Sequence, residues 1–305
     1  MKNLLTFKEI ASHWEDEKRA YVKRSTLSIY SVHLRKHLLP SFGERTSLSE
    51  NDVQSFVNEK LQSGLLPKTI KDILVVLHMI LLHAAKYFGW EYRPMDIHFP
   101  TPRVHPHLQV LSLAQQKRLM HYLFENFSYF NLGLSLCLET GLRIGEICAL
   151  TWGDIDLDAG VVHITKTIQR IYLGQRKTEV IVDTPKTAHS YRDIPLPANL
   201  ITQLKPLKRQ ATDRHYVLTN DACPLEPGPY RNYFKRLMKR LGFPPIRFHA
   251  LRHSFATRCI ECGCDYKTVS ALLGHANINT TLNLYVHPSL DHKKKCVNEA
   301  SLQLE

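Results

Sequence analysis

Four prolines, Pro94, Pro100, Pro102 and Pro106, fall in one aperiodic stretch, EYRPMDIHFPTPRVHPHL, at residues 91–108. Proline fixes φ, removes an amide donor and keeps its predecessor out of the helical region, so neither a helix nor a central strand runs through such a segment. The stretch reads as an extended linker that divides the 305-residue chain into two parts, each with its own core to bury. The expected division is a helical domain at 1–105 and a second domain at 106–305 with a polar C-terminal tail. With 44% hydrophobic and 22% charged residues, both parts have the makings of a globular core, and wholesale disorder is excluded.

Helical periodicity dominates the first part. Thr6 and Glu9 have capping-box spacing, and Phe7, Ile10, Ala11 and Trp14 form an apolar stripe behind them. A second helix is expected from about Thr26 through Leu38, stopping before Pro40, and a third from near Ser49 to Gly64. A fourth, from about Pro67 to Phe88, is apolar nearly all round at its centre. That makes it the core helix of a small bundle.

The second part changes period twice. Ser112 and Gln115 open a helix as another capping box, and residues 128–150 read as two helices separated at Thr140–Gly141. Strands follow at Val161 to Thr165, Thr167 to Tyr172, Thr178 to Val182 and Tyr191 to Ile194, with a turn at Gly174. From about Gly228 to Leu284 the chain is helical again. The fold class is mainly α with a small antiparallel β-sheet: an N-terminal helical bundle followed by an α+β domain.

The formal charge of +12 points to a polyanion, with nucleic acid first and an acidic membrane surface second. It is spread over both parts. Residues 1–105 hold 15 Lys and Arg against 11 Asp and Glu, and the remainder holds 25 against 17. Both domains could therefore face a polyanion, as a clamp would. No signal peptide or membrane span is legible, since the most apolar run, Ile73 to Ala85, is short and interrupted by His78 and His83. Seven cysteines, an odd number, suit the reducing cytoplasm better than a disulfide framework. Cys259, Cys262 and Cys264 form a C-x2-C-x-C cluster whose spacing does not match paired zinc knuckles. Small buried cysteines on a helix and the turn after it are expected, with a metal site as the alternative.

No phosphate-binding glycine loop and no H-E-x-x-H motif is present, so nucleotide-driven and zinc-hydrolase chemistry lack support. What remains is a series of basic residues in patterned settings. In TGLRIGE, a glycine turn leads into a helix whose first residue would be Arg143, with Glu146 on the same face. A cation there opposes the helix dipole and needs compensation. Lys186 lies at a turn between strands. In HALRHS, His249 and Arg252 are three residues apart on a helix, one able to move a proton and the other permanently charged. LLGH places His275 after a glycine, and Tyr285 follows ten residues later in NLYVH.

The order Arg, Lys, His-x-x-Arg, Gly-His, Tyr resembles the tyrosine recombinase (phage integrase) family. TGLRIGE, the K-T-x-x-S-x-R-x-I-P-L stretch from Lys186, HALRHSFAT and LLGH…TTLNLYVH carry the resemblance, which extends over nearly the whole chain. It implies a SAM-like core-binding domain followed by a catalytic domain. It also implies roles for the residues. Arg143 and Arg252 would clamp the scissile phosphate, Lys186 would protonate the leaving 5′-oxygen, and His249 would assist proton transfer. His275 would hydrogen-bond the phosphate, Tyr285 would be the nucleophile, and Glu146 would position Arg143. The interval from His275 to Tyr285 is one residue longer than in many members; Tyr191 and Tyr266 lie outside the matching segment.

The chemistry explains the residue types. Charge builds on the phosphate oxygens during in-line displacement, and preorganised donors are the main lever on that barrier. Two guanidinium groups supply paired donors where no metal is used. The resemblance implies no cofactor, no metal and no ATP, because the phosphotyrosine conserves the phosphodiester's energy. It further implies strand exchange through a Holliday junction, by a homotetramer on double-stranded DNA recombination sites, joined through the C-terminal tail. Leu302 and Leu304 would anchor that tail, and accessory DNA-bending or directionality factors could take part. A first helix beginning near Thr6 leaves no room for an arm-binding domain, which suggests an Xer-like or mobile-element integrase. The competing readings are a type IB topoisomerase-like nicking-resealing enzyme and a catalytically silent DNA-binding regulator of the same fold.

Overall fold

The computed structural model describes residues 5–101, 109–174, 177–184 and 190–282, together with positions 294, 297, 298 and 301. The chain divides into two compact units. One comprises Met1–His105 with Arg170–Glu179, and the other Pro106–Gln169 with Val180–Glu305. Among the described residues no helix is long and apolar enough to cross a membrane.

The first unit is a helical bundle. Helix α1 (Phe7–Arg19) starts at the Thr6–Glu9 capping box, and Phe7, Ile10, Ala11 and Trp14 are all buried. Helix α2 (Arg24–His33) runs into a π-helical turn, Leu34–Leu38, and then into the short α3 (Leu39–Phe42). Pro40 therefore does not stop the helix as expected. It sits in the first turn of α3, where its missing amide has no intrahelical partner to lose, while Leu39 N–H returns to the Leu34 carbonyl in the wider π register. Helices α4 (Glu50–Gln62) and α5 (Pro67–Phe88) follow the expected bounds closely. Helix α5 is not apolar on every exposed face by necessity of burial: Ile70, Ile73, Leu77 and Ile80 are buried, whereas Val75 and Leu82 face solvent. From residue 91 to residue 101 the chain has no regular structure.

The second unit opens with α6 (Leu113–Glu125), started by the Ser112–Gln115 capping box, and α7 (Tyr129–Thr140), which ends on Gly141. After α8 (Ile144–Ala149) come β1 (Ile155–Asp156), β2 (Val161–Ile164), β3 (Thr167–Gly174), β4 (Lys177–Asp183) and β5 (Arg192–Pro195). The strands form two small sheets, β1-β2-β5 and β3-β4. Strand β2 pairs antiparallel with both β1 and β5, placing Val162 opposite Ile194 and Ile164 opposite Arg192. The remaining helices are α9 (Ala198–Gln210), α10 (Pro227–Arg240), α11 (Ala250–Glu261), α12 (Tyr266–Leu273) and α13 (Asn279–Leu282). Strand β1 and helix α9 have no counterpart in the periodicity reading. Strand β1 is only two residues long, and α9 carries Pro206 inside it, which masks a helical pattern.

The cysteine cluster differs from expectation. Cys259 is half-buried on α11, but Cys262 and Cys264 are exposed on the turn that follows. Among the described residues no cluster of His, Cys, Asp and Glu is arranged to hold a metal ion.

Candidate active site

Two left-handed glycines shape the site. Gly141, with φ +69, closes α7, and Gly274, with φ +63, closes α12. Glycine adopts this conformation without strain, and it turns the last carbonyls of each helix away from the axis. Those carbonyls carry the negative end of the helix dipole and attract cations.

Three guanidinium groups answer them. Arg252, on α11, is 1% exposed, and donates through Nη1 to the Gly141 carbonyl at 2.8 Å and through Nη2 to the Leu273 carbonyl. Arg143 donates through Nη2 to the Gly274 carbonyl at 3.0 Å. Arg192, the first residue of β5, donates through Nε to the Leu272 carbonyl at 2.7 Å. Three consecutive carbonyls at the end of α12 thus each accept from a different arginine.

Glu146 supplies the compensating charge. It is 4% exposed and lies in the first turn of α8, where Oε2 accepts from the Arg143 amide at 2.8 Å. Arg143 is the N-cap of that helix rather than its first residue. Its Nη1 donates to Glu146 Oε1 at 2.7 Å, and Arg192 reaches both carboxylate oxygens, at 3.1 and 2.9 Å. Burial on its own would raise the carboxyl's pKa. The hydrogen bond and charge of Arg192 and the charge of Arg143 outweigh it and hold Glu146 down to about 2. The cation at the helix start is thereby offset, as the dipole argument requires.

The histidines stay neutral at pH 7. Partial burial, then the charges of Arg252 and Arg143, pull His249 down to about 4. The same causes pull His275 down to about 3. His249 is the N-cap of α11, and its ring meets His253 edge-on with centroids 4.5 Å apart. His275 Nδ1 lies 2.8 Å from Thr281 Oγ1. If that hydroxyl donates, Nε2 carries the ring proton and is left as a donor.

Arg143, Glu146, Ser190, His275 and Thr280 are among the residues lining a cavity of about 370 Å³. The structure therefore brings together Arg143, Glu146 and His275 around one cavity, with Arg252 and His249 beside them through shared contacts and charge. Lys186 and Tyr285 lie outside the described residues, as do Leu302 and Leu304. The order of motifs assigns no role to Arg192. The signal for it is the strand period: Arg192 shares the face of the buried Ile194, so a charged residue points toward the core.

Comparison with known proteins gives a consistent picture. The model of the phage integrase family matches residues 109–292, and that of the phage integrase N-terminal SAM-like domain matches residues 6–61. A protein named tyrosine recombinase XerC-like, from Caldanaerobacter subterraneus subsp. tengcongensis, is 29% identical over 293 residues, covering 87% of this chain and 74% of that protein. Tyrosine recombinase XerA of Pyrococcus furiosus is 26% identical, covering 96% of this chain and 93% of its own. Among solved structures, the Tn1549 transposon integrase in complex with a circular intermediate DNA shares the fold, with a TM-score of 0.78 at 23% identity over 97% of this chain and 99% of that one.

Proposed function

The chain belongs to the phage integrase family and is a site-specific DNA recombinase; from that premise we propose that it cuts and rejoins DNA through a covalent 3′-phosphotyrosine on Tyr285. The observation that carries this reading is the convergence of Arg143 and Arg252 on the end of α12, next to His275. Each guanidinium spends some of its donors on protein carbonyls, which fixes its plane, and retains others for the non-bridging oxygens of one phosphate.

The Tyr285 oxygen attacks phosphorus, and the bond to the 5′-oxygen breaks. The phenol's proton passes to neutral His249, which at a pKa of about 4 is free to accept it at pH 7. Lys186 gives a proton to the leaving 5′-oxygen. His275 donates to a phosphate oxygen, and Glu146 holds Arg143 in place. A 5′-hydroxyl then attacks the phosphotyrosine and gives its proton to Lys186, the bond from phosphorus to the Tyr285 oxygen breaks, and His249 returns a proton to the phenol, which regenerates the phosphodiester with no need for ATP or a metal ion. The products are exchanged strands passing through a Holliday junction.

In this reading residues 1–105 form the core-binding domain and residues 106–305 the catalytic domain, both bound to double-stranded DNA. A homotetramer assembles on the paired sites through the C-terminal tail, with Leu302 and Leu304 as anchors. The protein works in the cytoplasm, in integration, excision or dimer resolution, where accessory DNA-bending or directionality factors could act with it.

A nicked suicide duplex drawn from the DNA flanking the gene tests the assignment. Wild-type protein is expected to form a covalent adduct, with or without EDTA. Tyr285→Phe abolishes it, and Tyr191→Phe and Tyr266→Phe retain it. A persistent adduct in Tyr285→Phe would sink the assignment. Strand exchange between two sites separates a recombinase from a topoisomerase-like enzyme, and a silent regulator would shift the DNA without any covalent band.

A further inference from the structure

Arg192 is 6% exposed in its side chain, and it links the acid of the site to the Leu272 carbonyl at the end of α12, as Arg143 links it to the Gly274 carbonyl. We infer that Arg192 is a positioning residue for cleavage: it bridges Glu146 and the Leu272 carbonyl, and so sets both the Arg143 guanidinium and the segment that carries His275. The inference rests on the reading of Arg143 and His275 as phosphate ligands.

Four observations support it. The bond to Glu146 is bidentate, with Nη1 at 3.1 Å from Oε1 and Nη2 at 2.9 Å from Oε2, a geometry that fixes the carboxylate's plane and not only its charge. Nε lies 2.7 Å from the Leu272 carbonyl, and Nη1 also donates to the Ser190 carbonyl at 3.2 Å. The register sets Arg192 opposite Ile164 on the core face of its sheet, so the side chain has little freedom to leave. Finally, the next two carbonyls along, of Leu273 and Gly274, hold Arg252 and Arg143. A shift of α12 would move the acceptors of all three arginines together.

A lysine at this position could keep the charge but could not bridge the carboxylate and the carbonyl, so charge and placement are separable. The charged or titratable groups that face Glu146 are Arg192 from β5, Arg143 from the start of α8, Arg252 and His249 from α11, and Cys137 from α7. With Arg192 gone, burial raises the Glu146 carboxyl against the remaining cations. As pH falls it then protonates within a measurable range and releases Arg143.

The test uses the full chain with Arg192→Gln, Arg192→Lys and the double variant Arg192→Gln/Glu146→Gln. Two measurements are made: thermal melting against pH without DNA, and single-turnover adduct formation on the nicked flanking duplex at saturating protein. In wild type the carboxylate held down to about 2 contributes stability that is lost as pH falls below the ordinary carboxylate value of ~4.3, so Arg192→Gln is expected to be less stable at neutral pH and to lose that part of the acid-side decline in melting temperature, as is the double variant. Adduct formation in Arg192→Gln should fall about a hundredfold, the scale of a small misplacement of reacting groups, with DNA binding little changed. Arg192→Lys should leave the acid limb unmoved but still slow the adduct. Equal adduct rates in Arg192→Lys and wild type, or an acid-side decline in Arg192→Gln as steep as that of wild type, would overturn the inference. If Arg192→Gln fails to fold, Arg192→Lys decides it: wild-type adduct rates overturn the inference and slowed ones support it. Absence of a wild-type adduct counts against the recombinase chemistry, and the DNA-free melting comparison still decides whether Arg192 holds Glu146 charged.

Discussion

Arg252 Nη1 donates to the Gly141 carbonyl at 2.8 Å, so a guanidinium that is 1% exposed is tied to the last turn of a helix more than a hundred residues earlier in the chain. The carbonyl is available because Gly141 takes φ +69 at the end of α7. The relationship makes a glycine turn part of the apparatus that aims an arginine.

Gly141→Ala should therefore cost more than backbone strain. A Cβ there would lie 2.6 Å from Phe255 Cδ1 and 2.8 Å from Leu273 Cδ2, and Leu273 supplies Arg252's other acceptor. Gly64, at φ +86 with open space around it, is the control for strain alone. Gly64→Ala should lose ~1–2 kcal/mol. Gly141→Ala should lose more than that in a denaturant titration and should also slow adduct formation, whereas Gly64→Ala should leave the adduct rate intact.

Glu146→Ala should be among the most destabilising single changes in the second unit. It leaves Arg192 buried without its counter-charge, a situation that costs ~3–5 kcal/mol in comparable cases. Chemical denaturation monitored by circular dichroism reads this directly. A loss below 1 kcal/mol would mean that the Arg192 contacts to backbone carbonyls suffice.

Stability should fall on the acid side of neutrality. His249 and His253 are held down to about 4 and His275 to about 3, against an ordinary histidine value of ~6.5. Between those limits the unfolded chain binds more protons than the folded one, so stability is lost as pH drops from ~6.5 toward 4. Melting temperature measured across that window should decline, and His253→Phe should flatten part of the decline. A bound phosphate would raise His249 and His275, so DNA should shift the decline to lower pH.

Thr281→Val keeps the shape of a fully buried side chain and removes the oxygen that meets His275 Nδ1 at 2.8 Å. Adduct formation should drop by ~5- to 30-fold, the worth of one hydrogen bond of ~1–2 kcal/mol. If the hydroxyl acts by fixing the ring tautomer, the same substitution placed on a His275→Gln background should add almost nothing.

Much of the fold is legible without coordinates. The capping boxes at Thr6 and Ser112 mark helix starts that the structure reproduces, and the helix expected from near Ser49 begins there, because an N-cap depends on residues within one turn of each other. Gly141 is legible as a break for the same reason. Pro40 misleads because its effect depends on register. A π-helical turn just before it shifts the chain so that proline falls where its missing amide is harmless. The proposed catalytic residues stand out by the order of motifs along the chain, and Glu146 by its spacing from Arg143.

The sequence by itself determined which side chains could do this chemistry, since residue type and local spacing are properties of the chain. Only the tertiary structure decided how they are held. The carbonyls of Leu272, Leu273 and Gly274 accept from arginines 80, 21 and 131 residues away. Backbone carbonyls are the same in every residue type, so no letter in the sequence marks them as acceptors. What marks them is a left-handed turn at the end of α12 and the approach of three separate elements to it, and both exist only once the chain has folded.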